Sequence, residues 1–266
     1  CIFEIMNLLA EELIIGEGTV IHPSAIIRGL KGKAKRVVIG DHVYIGEQVQ
    51  IICDDFQIGD YSKIQHRTTI HGYLPCHIGH NAWIGQHCII DSIGGMKIGN
   101  NCGIGAHSQL WSHIKFGDTL EGSNFHSAKE MNIGNDVWFV GHCIVSPINA
   151  DDKSMALAGS VITHDMAYNR LYGGSPAKDL TEQLGAPYSE VSLEEKVERM
   201  VAYVEDVNVS EDIVIVRYAN EIDFTDGKSY FVVNDRRYTK RGTPAEVAFM
   251  KYLLPEKAKF VPYDIL

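Results

Sequence analysis

A branched apolar residue recurs every six positions along most of this chain, and that period excludes more folds than any other feature of the sequence. From Ile15 the register runs Ile15, Ile21, Ile27, passes over Lys33, and resumes at Ile39, Ile45 and Ile51. A one-residue slip gives Ile58, Ile64 and Ile70. Two-residue slips give Ile78, Ile84, Ile90 and then Ile98, Ile104, Leu110; after a longer interruption come Ile133, Phe139 and Val145. A helix needs a period near 3.6 and a two-faced strand a period of two, so six-residue sides read as short parallel strands separated by corners, three sides to a coil. In such a prism each large aliphatic is expected to stack over its counterpart eighteen residues on. Each buried Val, Leu or Ile is then worth roughly 1.5–3 kcal/mol. An unpaired lysine cannot be buried, so residues 29–35 around Lys33 are expected to bulge into solvent.

A second column supports the first. Four places after the aliphatic stands a small residue, as at Thr19, Ala25, Ser62, Thr68, Ala82, Cys88, Cys102, Ser108 and Cys143. Glycine often follows the aliphatic directly, as at Gly40, Gly46, Gly59, Gly79, Gly85, Gly99, Gly105 and Gly134, which reads as a turn position needing unusual backbone angles. The general chirality rule for parallel crossovers predicts a right-handed coil.

The run of aliphatic, Gly, two variable residues and a small residue resembles the hexapeptide-repeat acyltransferases over about residues 15–185. Ile133-Gly134-Asn135-Asp136-Val137-Trp138 and Gly173-Gly174-Ser175-Pro176-Ala177-Lys178 resemble the closing coils of the maltose, galactoside and xenobiotic acetyltransferases. The resemblance implies a mainly β fold, a left-handed parallel β-helix, which replaces the right-handed expectation. It also implies a homotrimer with sites between subunits, acetyl-CoA as acyl donor, and no metal. Residues 1–14 would be an N-terminal cap, 15–185 the β-helix with an excursion loop over 111–132, and 186–266 a small α/β appendage.

Acyl transfer from a thioester to a hydroxyl or amine needs a base, and imidazole titrates near neutrality. His113 stands where the repeat breaks, and Gln109-Leu110-Trp111-Ser112-His113 resembles the family's catalytic position. The expected base is therefore His113, with His126 in the same loop as the substitute; Asp118, Glu121 and Asn124 are candidates to orient the imidazole or the acceptor. Trp138 falls on the outer face and is expected against the pantetheine arm, with trimer packing as its alternative use. Lys178 is expected at the phosphates, helped by Lys153 and Arg170, and backbone amides near Ala158, Gly159 and Gly174 along the arm. The acceptor is expected to be a sugar-like small molecule.

Twenty-four Lys and Arg against 34 Asp and Glu give a formal charge of -10, which argues against nucleic acid as a partner. No apolar run reaches the ~18 residues of a membrane span, and the N-terminus lacks the pattern of a secretory leader, so a soluble, cytoplasmic protein is expected. No Cys-x-x-Cys pair occurs among the six cysteines, which read as reduced packing residues. His87, His107 and His142 each stand three after an aliphatic and should form one vertical column of repeated outward positions.

Two other functions compete. His66, His71 and His80 partly resemble ligand segments of the gamma-class carbonic anhydrases, where zinc-bound water is the nucleophile, although Gly85 stands where that family places a further histidine. A solenoid that only scaffolds partners is the other.

Outside the prism, Ile2, Met6, Leu9 and Leu13 have helical spacing and suggest a short capping helix. Ser192 and Glu195 form a capping box for a helix over 192–206. A strand over 213–218 and a hairpin of 220–224 with 229–233 about Asp226-Gly227 are expected next, then a helix opened by Thr243-Pro244. Arg236, Arg237, Lys240 and Arg241 form a basic cluster, read as a solvated loop or as an attractor for an anionic acceptor.

Overall fold

The computed structural model describes residues 7–254 and 256–263. The chain divides into two compact units, residues 1–188 and 189–266.

The first unit is a three-walled parallel β-helix. The first wall stacks Ala10–Ile15, Ala34–Ile39, Asp55–Ile58, Cys76–Ile78, Met96–Ile98 and Met131–Ile133. The second begins at Val20–Ile21 and runs through Trp83–Ile84 and Trp138–Phe139 to Leu171–Gly174, where the antiparallel strand Ala177–Asp179 closes it. The third runs from Ile26–Arg28 through Ile89–Asp91 and Gln109–Leu110 to Val161–Ile162. Hexad aliphatics meet in register on every wall, as Ile39, Ile58, Ile78, Ile98 and Ile133 do on the first. All five are buried in one continuous core.

The stacking interval is not eighteen residues. Ile39 to Ile58 spans 19, and Ile58 to Ile78 and Ile78 to Ile98 span 20 each. The surplus collects at one corner, between the third wall and the first. That corner holds the bulge at 29–33, the slips before Ile58, Ile78 and Ile98, and the whole excursion after Leu110. Lys33 is exposed there, while Ala34 beside it is fully buried.

The other two corners are uniform, and their chemistry revises the reading of the glycines. Left-handed backbone occurs three residues after the aliphatic, at His42, Tyr61, Asn81, Asn101 and Asp136 on one corner and at Gln48, Arg67, His87, His107 and His142 on the other. The glycines directly after the aliphatic have ordinary φ; what they supply is clearance. A Cβ at Gly105 would come within 1.8 Å of the Val140 carbonyl oxygen, and one at Gly59 within 2.6 Å of the His80 amide nitrogen. The small column is explained by the same contact. Thr19 Oγ1 donates to the Gly40 carbonyl at 2.6 Å, Ser62 Oγ to Gly79 at 2.9 Å, Thr68 Oγ1 to Gly85 at 2.7 Å and Cys102 Sγ to Gly134 at 3.0 Å. Where the slot holds a short donor it bonds the carbonyl of the next coil's glycine, and where it holds Ala25 or Ala82 it supplies room alone.

The expected capping helix over 1–14 does not form in its described part. Ala10–Ile15 is a strand paired with Ala34–Ile39, because adding a rung satisfies a row of backbone groups on the sheet edge. Cys1, Ile2 and Met6 lie outside the described residues.

In the second unit, Leu193–Val207 is a helix with Ser192 Oγ accepting from the Glu195 amide, and Pro244–Leu253 is a helix capped by Thr243. Ile213–Val216 pairs in parallel with Ser229–Val232, whose antiparallel partner is Arg237–Tyr238. The hairpin expected from Asp226-Gly227 is absent among the described residues. Asp223 and Asp226 instead accept from the amides of Thr225 and Lys228, drawing the segment into local turns. Phe231 stacks on Tyr238 and meets Phe249 and Phe260 edge-on to centre this core.

Candidate active site

The corner that absorbs the insertions also carries a buried polar cluster of Asp91, Ser92 and Ser112. Asp91 ends a third-wall strand and is 4% exposed. Its Oδ1 accepts from the Ser112 amide at 3.0 Å and from Ser112 Oγ at 2.6 Å, and lies 2.9 Å from His113 Nδ1. Ser112 Oγ in turn accepts from the Gly94 amide at 2.8 Å, and the Ser112 carbonyl from the Lys129 amide at 3.0 Å. A buried carboxylate has to be matched by donors, and three converge on one oxygen here.

His113 opens the excursion as the first residue of a two-stranded hairpin, His113–Lys115 with His126–Ala128. Its side chain is 21% exposed, and the Trp111 ring stands edge-on 6.2 Å away. In the tautomer that carries its proton on Nδ1, the imidazole donates to Asp91 Oδ1 and its Nε2 lone pair is left as the free base. The imidazole is held in plane by a rung of the prism rather than by the loop. Asp118, expected as a possible orienting group, instead accepts from the Leu120 amide in a loop turn. Glu121 and Asn124 have no hydrogen bond to His113 among the described residues. His126 is exposed and pairs beside Lys115.

Asp91 was not singled out from sequence. It precedes His113 by 22 residues, and only the stacking of one coil on the next brings them together. The residue directly after a third-wall aliphatic follows no rule in the sequence, being Arg28, Ile52, His71, Asp91, Trp111 and Ser146 in turn, so nothing marked Asp91 out.

The expected donor-binding residues lie on other parts of the prism. Trp138 projects outward from the second wall, 48% exposed, with its ring over Gly103, where an added Cβ would meet Trp138 Cδ1 at 2.9 Å. Ala158 and Gly159 are exposed at a corner, Gly159 with a left-handed φ of 73° and open space around it. Gly174 and Lys178 belong to the closing hairpin, where Gly173 faces Lys178 and Gly174 faces Ala177; Lys178 is exposed. The weaker helpers are engaged elsewhere. Lys153 lies 5.8 Å from the Tyr168 ring centre and 5.6 Å from that of Tyr188, and Arg170 is 3.8 Å from Asp179.

Cys88, Cys102 and Cys143 are buried free thiols, and burial pushes Cys88 up to about 11, so it carries no thiolate at neutral pH. His87, His107 and His142 do form a column, with ring centres 4.9 and 4.8 Å apart and planes within 5° and 14°. His66, His71 and His80 fall on three different corners, each with its own neighbour: the His87 ring, the Tyr73 ring and the Asp60 amide. They cannot converge on one zinc ion within the chain. Among the described residues no group of three or more His, Cys, Asp or Glu is placed to hold a metal ion, and no helix is long and apolar enough to cross a membrane.

In the appendage the basic cluster is tied down. Arg236 Nε donates to the Lys259 carbonyl, Arg237 lies over the Tyr263 ring, and Arg241 donates to the Phe224 carbonyl.

No protein-family model matches the chain. A curated relative, the bifunctional protein GlmU of Listeria welshimeri, is 30% identical over 190 residues, 59% of this chain and 37% of the relative. The body of this chain is a hexapeptide-repeat solenoid. It spans little more than a third of the length of the curated relatives it first matches. Among solved structures, the polySia-specific acetyltransferase NeuO is 16% identical, with a TM-score of 0.41 over 74% of this chain and 91% of that one. A hexapeptide-repeat acetyltransferase of Vibrio cholerae, complexed with acetyl-CoA, is 18% identical, with a TM-score of 0.36 over 68% of this chain and 73% of that one.

Proposed function

We propose that this hexapeptide-repeat protein is an acyl-CoA-dependent acyltransferase that moves an acetyl group to a hydroxyl or amino group of a sugar-like small molecule. The observation that carries the reading is the buried Asp91 carboxylate 2.9 Å from His113 Nδ1, beside a solvent-reachable excursion. The motifs ending in Trp138 and Lys178 support it, because they resemble the closing coils of sugar acetyltransferases.

In this reading His113 Nε2 takes the proton of the acceptor hydroxyl or amine as its oxygen or nitrogen attacks the thioester carbonyl carbon. A tetrahedral oxyanion forms. It collapses with cleavage of the carbon–sulfur bond, and the thiolate of coenzyme A leaves with the proton carried by the imidazolium. Asp91 keeps the imidazole in one tautomer and steadies its positive charge. Trp138 lies along the pantetheine arm, the amides near Ala158, Gly159 and Gly174 bond it, and Lys178 meets the phosphates. The left-handed wind, the homotrimer with sites between subunits and the cytoplasmic location belong to the same reading.

The test is thiol release from acetyl-CoA with amino-sugars, polyols and nucleotide-sugars as acceptors. Turnover with at least one acceptor, lost in His113→Ala, is the expected result. Absence of both turnover and acetyl-CoA binding by calorimetry would overturn the reading and favour the scaffold.

A further inference from the structure

The three walls differ on their outward faces. On the second wall the outward row runs Tyr44, Lys63, Trp83, Gly103 and Trp138, and on the third Thr69, Ile89, Gln109, Ile144 and Val161. Aromatic or aliphatic residues interrupt both, as Val38 does on the first wall next to Gln57. On the first wall the row of Gln57, His77, Lys97 and Asn132 stands in strict register, and Asn149 continues it one rung further through its Oδ1 contact with the Asn132 side chain at 3.3 Å. Five successive rungs, a length of ~19 Å at the spacing of neighbouring strands, therefore present hydrogen-bonding side chains and no aliphatic. A second rail runs beside it. Asn100 Nδ2 donates to Asn135 Oδ1 at 3.1 Å, and Asn135 Nδ2 to Asp152 at 3.4 Å, so these amides are oriented in advance. Between the rails lies an open groove of about 920 Å³ whose far end is lined by Tyr168.

The charge of this groove defines what fits it. Lys97 is its one lysine and is paired with Glu130 at 3.0 Å. Asp151 and Asp152 add negative charge, and His77 lies 3.2 Å from Asp55. Among the lining residues a phosphate or carboxylate ligand would meet no unanswered cation. The amides of Gln57, Asn132 and Asn149 and the imidazole of His77 offer both donors and acceptors, and Lys97 adds donors alone, which suits a neutral polyhydroxylated chain. Tyr168, more than half exposed and with the Lys153 ammonium 5.8 Å from its ring centre, offers the face away from that ammonium to a terminal ring.

From this we infer that the outer face of the first wall is a binding groove for a neutral oligosaccharide of several sugars. The inference deepens the acyltransferase reading by naming the acceptor class, and rests on that reading for the acceptor role alone; the groove itself follows from the polar rails. It also departs from a single small sugar, since the rails extend over several rungs.

The experiment is to apply the full chain, without acetyl-CoA, to a printed array of neutral and acidic oligosaccharides from one to six sugars long. The expected result is binding confined to neutral oligosaccharides of three or more sugars. Asn132→Leu and His77→Leu, both on the wall surface, are expected to weaken it at least tenfold with unchanged thermal unfolding, and Ile144→Ser on the third wall to leave it unchanged. A blank neutral panel, preference for acidic or single sugars, or indifference to both first-wall changes would overturn it. Array binding without acetyl transfer would leave the groove standing and remove the acyltransferase reading; transfer with a blank array would do the reverse.

Discussion

Asp91 Oδ1 and His113 Nδ1 lie 2.9 Å apart although they belong to successive coils, so a buried rung of the prism aims a side chain that the excursion alone would leave free to rotate. Replacing the carboxylate by an amide tests this relationship. In Asp91→Asn the side-chain oxygen, held by the Ser112 amide, still accepts from Nδ1–H, but the negative charge that steadies the imidazolium is gone. We expect turnover to fall by about 10²–10⁴ in both Asp91→Asn and His113→Ala, the usual worth of a general base, while circular dichroism stays that of the parent. An Asp91→Asn enzyme with full turnover would separate the carboxylate from the chemistry.

Lys178 is exposed on the closing hairpin and its proposed partner is a phosphate in partial solvent. Lys178→Ala should raise the KM for acetyl-CoA roughly fivefold, in keeping with about 1 kcal/mol for such a contact, and leave kcat unchanged. Steady-state kinetics at low and high salt will check it, since screening should shrink the difference between the two proteins.

His87 in the stacked column makes stability depend on pH with a defined sign. His87 titrates below its ordinary value, first through desolvation and then through His107, Arg67 and His66 beside it. A base whose folded pKa is depressed favours folding in its neutral form. The contribution is therefore whole above the unfolded value near 6.5 and is lost as pH falls through it, because the unfolded chain takes up the proton first. Thermal unfolding followed from pH 8 to 5 should show Tm declining across that window. His87→Asn, whose new side chain tolerates the left-handed backbone at φ 56°, should flatten the decline.

Clearance at the hexad glycines should be unforgiving. Gly105→Ala places a methyl group 1.8 Å from the Val140 carbonyl oxygen, and because that atom is backbone the coil itself must move. Chemical denaturation should register a loss of about 3 kcal/mol or more. Gly159→Ala meets no atom within 4 Å and bears only the cost of its left-handed φ, so its loss should be smaller.

Periodicity carried a great deal. The aliphatic hexads placed all three walls, the small column and the interruption at Leu110, because an inward position repeated on every side leaves its mark in residue type alone. What escaped were relationships between coils. Asp91 and His113 meet only because 20 residues separate Ile90 from Leu110 in the stack, and the slip that sets this interval was legible while its corner was not. The glycines were legible as special positions for the wrong reason. They yield space to the next coil, and the left-handed turn falls two residues later on His, Asn, Asp, Tyr or Gln. The N-terminal segment misled because Leu9 and Leu13 fit a helical spacing, whereas an open sheet edge recruits any compatible strand.

The confinement of every insertion to one corner has an engineering consequence. The two uniform corners are committed by left-handed backbone and by carbonyls already bonded to the adjacent coil, so an added residue there would break the ladder on both sides. The third corner already tolerates surpluses ranging from one residue to a hairpin, and its Gly29–Gly32 turn closes on itself with an amide-to-carbonyl bond of 2.9 Å. Foreign peptides spliced into that turn should be displayed from a rigid rod without altering its pitch.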